Sequence, residues 1–134
     1  AAVGALLAAA GMGTLPLDRT TLRRFRRLVA DLGADCYVAE RDGALVGFLH
    51  VTYARHLLDG QQATLALLVV APGARRQGVG QALASLALRR AQRRGCRILT
   101  WHGAEPEAAG AWLRRLGWHE AGGRLQVDLS PPAG

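Results

Sequence analysis

Lysine does not occur in this chain, and its 134 residues hold only two cysteines, one methionine and 5% aromatics. The formal charge of +7 therefore rests on arginine, whose guanidinium stays ionised and pairs with phosphate or carboxylate through a planar fork. Such a balance points to an anionic ligand, an acidic partner or nucleic acid, without choosing among them. Cys36 and Cys96 lack a Cys-x-x-Cys spacing and a histidine at ligand spacing. That argues against a disulfide framework and a zinc site, and both are expected to pack in a reducing, cytoplasmic setting. No apolar run approaches the roughly 18 residues of a membrane span, so no membrane partner is expected. The apolar opening Ala1 to Ala10 has no basic leader and reads as a first helix, not an export signal. Methionine does not start the chain.

What is present describes a globular protein: 50% apolar and 20% charged residues, enough to bury one core. A single domain over 1–134 is expected. Leu22, Phe25, Val29 and Leu32 fall at helical spacing, with Arg23, Arg24, Arg26 and Arg27 off that stripe and Gly33 as the stop. Those arginines read as a solvated helix face; without an aromatic stacking platform, nucleic acid is disfavoured as a partner.

Cys36 to Glu40 reads as a strand, Arg41-Asp42-Gly43 as a hairpin turn, and Ala44 to about Tyr53 as the return strand. A polar loop over Arg55 to Gly60 is expected next. The apolar run Leu65 to Val70 then suits a strand covered on both faces, hence central in its sheet. Val79, Leu83, Leu86 and Arg90 mark the inner stripe of a helix ended by Gly95, with Arg89, Arg93 and Arg94 outward. A strand over Arg97 to Trp101, a helix over Glu105 to Leu116 closed by Gly117, and a hairpin of Trp118 to Glu120 with Arg124 to Leu129 complete a mixed α/β order. Trp101, Trp112 and Trp118 are expected in the core.

The densest signal is Leu67 to Gly80, LLVVAPGARRQGVG: a strand, a proline stop and a glycine-punctuated arginine turn opening into a helix. That arrangement delivers backbone N–H groups and the positive end of a helix to one point, which suits a phosphate-rich ligand. Gly73 and Gly78 have Walker A spacing, but Val79 and Gly80 stand where Lys and Ser or Thr are required. A dinucleotide fingerprint beginning at Gly78 fails at Leu83, where a third glycine belongs.

Val70-x-Pro72-x-x-Arg75-x-x-Gly78-x-Gly80 resembles the acyl-CoA-binding motif of the GNAT superfamily of N-acetyltransferases, and Ala109, Trp112, Gly117 and Trp118 match a second block of that family. The resemblance covers about Cys36 to Leu129. It implies a GNAT-like mixed central sheet flanked by helices, although the family's first strand is not evident here. It also implies acetyl-CoA as cosubstrate and a small-molecule or peptide amine as acceptor. Pyrophosphate would then lie on the N–H groups of Arg76, Gln77, Gly78, Val79 and Gly80, with Arg75 beside them. Main-chain groups of Leu68, Val69 and Val70 would bond the pantetheine amides.

The chemistry asks for a neutral amine, donors for a developing oxyanion and an exit for the thiolate. Where the family often carries an acidic tyrosine this chain has Leu113, and Pro106 replaces a frequent asparagine. The central strand supplies no glutamate base. His102, closing the strand after Arg97, is the catalytic candidate because neutral imidazole accepts a proton near pH 7. His50, Tyr53, Glu40 and Glu105 are lesser candidates, and His56 and His119 carry no signal. The expected activity is direct acetyl transfer to a primary amine, with a catalytically inactive CoA-binding domain as the alternative. Self-association is compatible with the sequence but specified by no spacing.

Overall fold

The computed structural model describes residues 23, 27, 33–58, 60–74, 78–102, 110–122 and 124–129. Arg23 and Arg27 are helical and exposed, as expected of a solvated face; the rest of that helix, with the expected helix at Ala1 to Ala10, lies outside the described residues. β1 (Ala34–Arg41) and β2 (Ala44–His56) form an antiparallel hairpin. Asp42 and Gly43 both take positive φ, 52° and 77°, the geometry that matches a two-residue turn to strand twist. The loop expected from Arg55 is shorter than the sequence indicates. β2 carries its ladder through Arg55 and His56, opposite Gln61 and Gly60, because main-chain pairing with β3 (Gly60–Val70) continues regardless of side-chain polarity. Leu57 and Leu58 at this tip are exposed.

Pro72–Ala74 forms a 3₁₀ turn, followed by α1 (Val79–Arg93), β4 (Ile98–Trp101), α2 (Gly110–Arg115), β5 (His119–Ala121) and β6 (Arg124–Asp128). The sheet runs β1-β2-β3-β4-β6-β5, so the apolar run of β3 is central as expected. Among the described strands only the β3–β4 pair is parallel, and α1 makes its crossover.

The main core lies on the α1 face of the sheet. Leu49, Val51, Ala63, Leu65, Leu99 and Trp101 meet Leu83, Ala87 and Ala91 of α1 and Leu113 of α2. Each fully buried Leu or Val contributes about 1.5–3 kcal/mol. The buried helix stripe runs through Leu83, Ala84, Ala87 and Ala91, so alanines, more than the expected Leu86, set the close approach of α1 to the sheet. Trp101 and Trp118 pack edge to face with centroids 5.6 Å apart, both buried. The side chain of Trp112 lies outside the described residues. Cys96 is buried, Cys36 is partly so, and both are free thiols. A second cluster on the opposite face joins Phe48 and Val69 with Cys36, Leu45 and Leu67.

One irregularity shapes the centre of the sheet. His50 pairs with Leu67 but Val51 pairs with Leu65, so Ala66 is an extra residue, a β-bulge in β3. The bulge exchanges faces: Ala63 and Leu65 belong to the α1 face before it, and Leu67 and Val69 to the opposite face after it.

Candidate active site

β3 pairs with β4 only at Ala63, Thr64 and Leu65, opposite Leu99, Thr100 and Trp101. One more bond follows, from the His102 N–H to the Leu65 carbonyl at 3.0 Å, where β4 ends. From Ala66 to Val70 β3 continues beside β2 alone among the described strands. Parallel strands that separate in this way leave a cleft between them. The bulge supplies the cause, since an extra residue bends and twists its strand just where the ladder stops.

At the far end of this cleft β3 turns sharply. Ala71 donates to the Val46 carbonyl at 2.8 Å, and Ala74 donates back to Ala71 at 2.9 Å, fixing the chain over the end of the sheet. Gly78 is the N-cap of α1, left-handed at φ 82°, with open space where a Cβ would stand. It offers no side-chain cap, and the first turn of α1 holds no acidic residue. The positive helix end and its N–H groups are therefore uncompensated from within the helix, a setting that favours an anion. Gly80 differs from Gly78: a Cβ there would sit 3.4 Å from Val70 Cγ2, in van der Waals contact with the end of β3. Val79 is half-buried beside it, while Arg75, Arg76 and Gln77 lie outside the described residues. Leu68 and Val70 are half-buried and Val69 is buried.

His102 stands exposed at the point where β3 and β4 part. His50 lies in β2 opposite Leu67, level with the bulge. The Tyr53 side chain is engaged with other residues of the fold. Its hydroxyl donates to Asp35 Oδ2 at 2.6 Å, and Arg94 lies over its ring at 4.0 Å. Burial, followed by the bond to Asp35, raises its pKa well above the ordinary phenol value. Arg94, expected outward, instead approaches Asp35 Oδ1 at 3.6 Å, and Arg90 approaches Oδ2 at 3.4 Å. The hydrogen bond that Arg90 donates to Asp35 raises the arginine's pKa. This carboxylate, 13% exposed, ties the end of α1 to β1 and β2. Residues so distant in sequence gave no local signal of it.

Glu40 is exposed on β1, and His56 is exposed at the end of β2. His119 faces Asp128 on the terminal hairpin at 3.3 Å, away from the cleft. Glu105, Pro106 and Ala109 lie outside the described residues. Leu113, 1% exposed, is part of the core, and no proton donor can act from its side chain. Burial, then the charge of Asp35, raises the Cys36 pKa, and burial raises that of Cys96, so neither thiol is primed as a nucleophile. Among the described residues no cluster of His, Cys, Asp and Glu could hold a metal ion. No helix among them is long and apolar enough to cross a membrane.

A family model described as "Acetyltransferase (GNAT) family" matches residues 10–118. A mycothiol acetyltransferase from Actinosynnema mirum is 36% identical over 85 residues, 63% of this chain. The match spans only 28% of that relative's length. The ribosomal-protein-S18-alanine N-acetyltransferase of Escherichia coli superposes with a TM-score of 0.73 at 22% identity, covering 99% of this chain and 88% of its own. An aminoglycoside N-acetyltransferase solved with CoA gives 0.62 at 21% identity, covering 76% and 80%. The expected sheet, its helices and its central strand are thus those of a known fold.

Proposed function

We propose, from the premise that this chain belongs to the GNAT acetyltransferase family, that it transfers an acetyl group from acetyl-CoA to a primary amine by direct attack. The observation that carries this reading is the cleft. β3 parts from β4 after Leu65 and leads directly to the uncapped start of α1. A carrier with an extended amide-bearing arm and a diphosphate fits such a channel in both of its parts. The arm would run along Leu68, Val69 and Val70, meeting main-chain donors and acceptors. The diphosphate would take the N–H groups at the start of α1. Arg75, Arg76 and Gln77 belong to the same proposed grip by the motif they complete. The mycothiol relative and the CoA-bound aminoglycoside enzyme, both acetyltransferases by description, support the donor and the amine acceptor.

His102, where the two strands part, is the proposed base, accepting a proton from the incoming ammonium. With leucine at 113, the thiolate leaves without a protein acid, which its pKa of about 8.5 permits near neutrality. The acceptor would be a small molecule or peptide, and the compartment the cytoplasm. Leu113 in the core favours one other reading, a domain that binds CoA without turnover. Calorimetry with acetyl-CoA, CoA, ATP and NAD, followed by thiol release over a panel of amines, separates the two. Saturable CoA binding with thiol release supports transfer; binding without release across the panel supports the second reading. The absence of CoA binding overturns both.

A further inference from the structure

Among the described residues three large apolar side chains stand in water: Val38 on β1, 53% exposed, and Leu57 and Leu58, 100% and 89% exposed. The two leucines are neighbours on the tip that joins β2 to β3, where His56 pairs with Gly60 and Arg55 with Gln61. Exposure of this degree leaves them no packing role within the fold.

Cations surround the tip. Val51 and Tyr53 of β2, Ala63 of β3 and Leu99 of β4 belong to the α1 face, and alternation carries Arg55, Gln61 and Arg97 onto that face too. These three make one row at the end of the sheet: Arg55 pairs with Gln61, and the Arg97 N–H donates to the Gln61 carbonyl at 3.1 Å. Arg97 Cδ lies 3.9 Å from where a Cβ on Gly60 would stand, beside the tip itself. Arg93 closes α1, which lies on the same face. All three arginines are exposed, and none forms an ion pair with a described residue, whereas Arg94 is held on Asp35. In sequence the tip adds one acid, Asp59, against these cations.

Two bare leucines on a convex end suit a surface that yields around them, since a rigid protein partner would need a matching hole. The arginines behind them select anionic headgroups, because a guanidinium fork matches phosphate. No helix among the described residues is long and apolar enough to cross a bilayer, but resting on one needs no crossing. We propose that the β2–β3 tip docks on an anionic lipid surface, with Leu57 and Leu58 entering the headgroup layer and Arg55, Arg93 and Arg97 meeting lipid phosphates. The glycine start of α1 lies beyond the far end of the 11-residue β3, about 33 Å from Gly60. Docking at the tip therefore leaves the cleft open, and it does not depend on what the cleft transfers.

The test floats the full chain with vesicles of phosphatidylcholine alone and of phosphatidylcholine with about 30% phosphatidylglycerol. The anionic vesicles should bind the protein about tenfold more strongly, and the difference should shrink as salt rises. Leu57→Ser and Leu58→Ser should each lower the partition coefficient on anionic vesicles about tenfold, whereas Val38→Ser should change it little. Arg55→Gln combined with Arg97→Gln should lower it about tenfold and flatten its salt dependence. Arg41→Gln, at the opposite end of β2, should leave it nearly as it was. Equal urea midpoints show that the variants are folded. Equal binding to both kinds of vesicle, binding that survives both serine substitutions together, or no binding to either would overturn the proposal. Self-association of the unmodified protein that the serine substitutions abolish, without flotation, would overturn it in favour of a second copy at the tip.

Discussion

Gly47 has no room for a methyl group: a Cβ there would lie 2.9 Å from Leu83 Cδ1, 3.0 Å from Val79 Cγ1 and 3.2 Å from Ala39 Cβ. Three side chains from two elements converge on the bare backbone of β2, so the first turns of α1 rest directly on the sheet. Gly47→Ala is expected to cost about 1–3 kcal/mol by overpacking, read from the urea midpoint, and to weaken CoA binding by shifting the start of α1. Gly78 is sensitive for another reason. Space around it is open, but its φ of 82° is left-handed, so Gly78→Ala should cost about 1–2 kcal/mol through backbone strain alone. Leu113 illustrates the limit of reading residues by motif position. Buried in the core, it stabilises the fold, and Leu113→Ala should cost about 2–5 kcal/mol in urea unfolding.

At the scale of elements, the Asp35 cluster is the fastening of α1. Its helix begins at the cleft and ends where Arg90 and Arg94 reach Asp35, beside the Tyr53 hydroxyl. Tyr53 binds its proton more tightly in the folded protein than in the unfolded chain. Above the unfolded phenol pKa of about 10, the folded state therefore retains a proton that the unfolded state releases, and stability falls as pH rises. This contribution is fully present below that pH. Tyr53→Phe should flatten the alkaline limb of a stability-against-pH curve, and an unchanged limb would deny the cluster this role. β3 shows the other element-level feature. Its apolar run announced a central strand, and the structure agrees, but nothing in Leu65-Ala66-Leu67 distinguishes a bulge from regular alternation. A bulge is a property of two paired strands, settled by which residue of β2 faces which residue of β3.

For the whole molecule, the excess of arginine and the uncompensated start of α1 argue for an anionic ligand whose binding weakens with salt. Acetyl-CoA at 100 times its dissociation constant should stabilise the protein by about 2.7 kcal/mol, seen as a rise in Tm that shrinks between low and high salt. NAD at equal concentration should give little rise, since the chain lacks the third glycine of a dinucleotide turn.

The order of the described strands and helices, the hairpin at Asp42-Gly43, the central position of β3 and the glycine start of α1 were all fixed by local chemistry. Alternation, helical spacing, glycine and proline act over a few residues, and those few residues are adjacent in the chain. The parting of β3 from β4, the anchoring of Arg90 and Arg94 on Asp35 and the burial of Leu113 came only with tertiary structure. Each depends on strand register or on contacts between residues tens of positions apart, and register is set by the packing of the whole sheet.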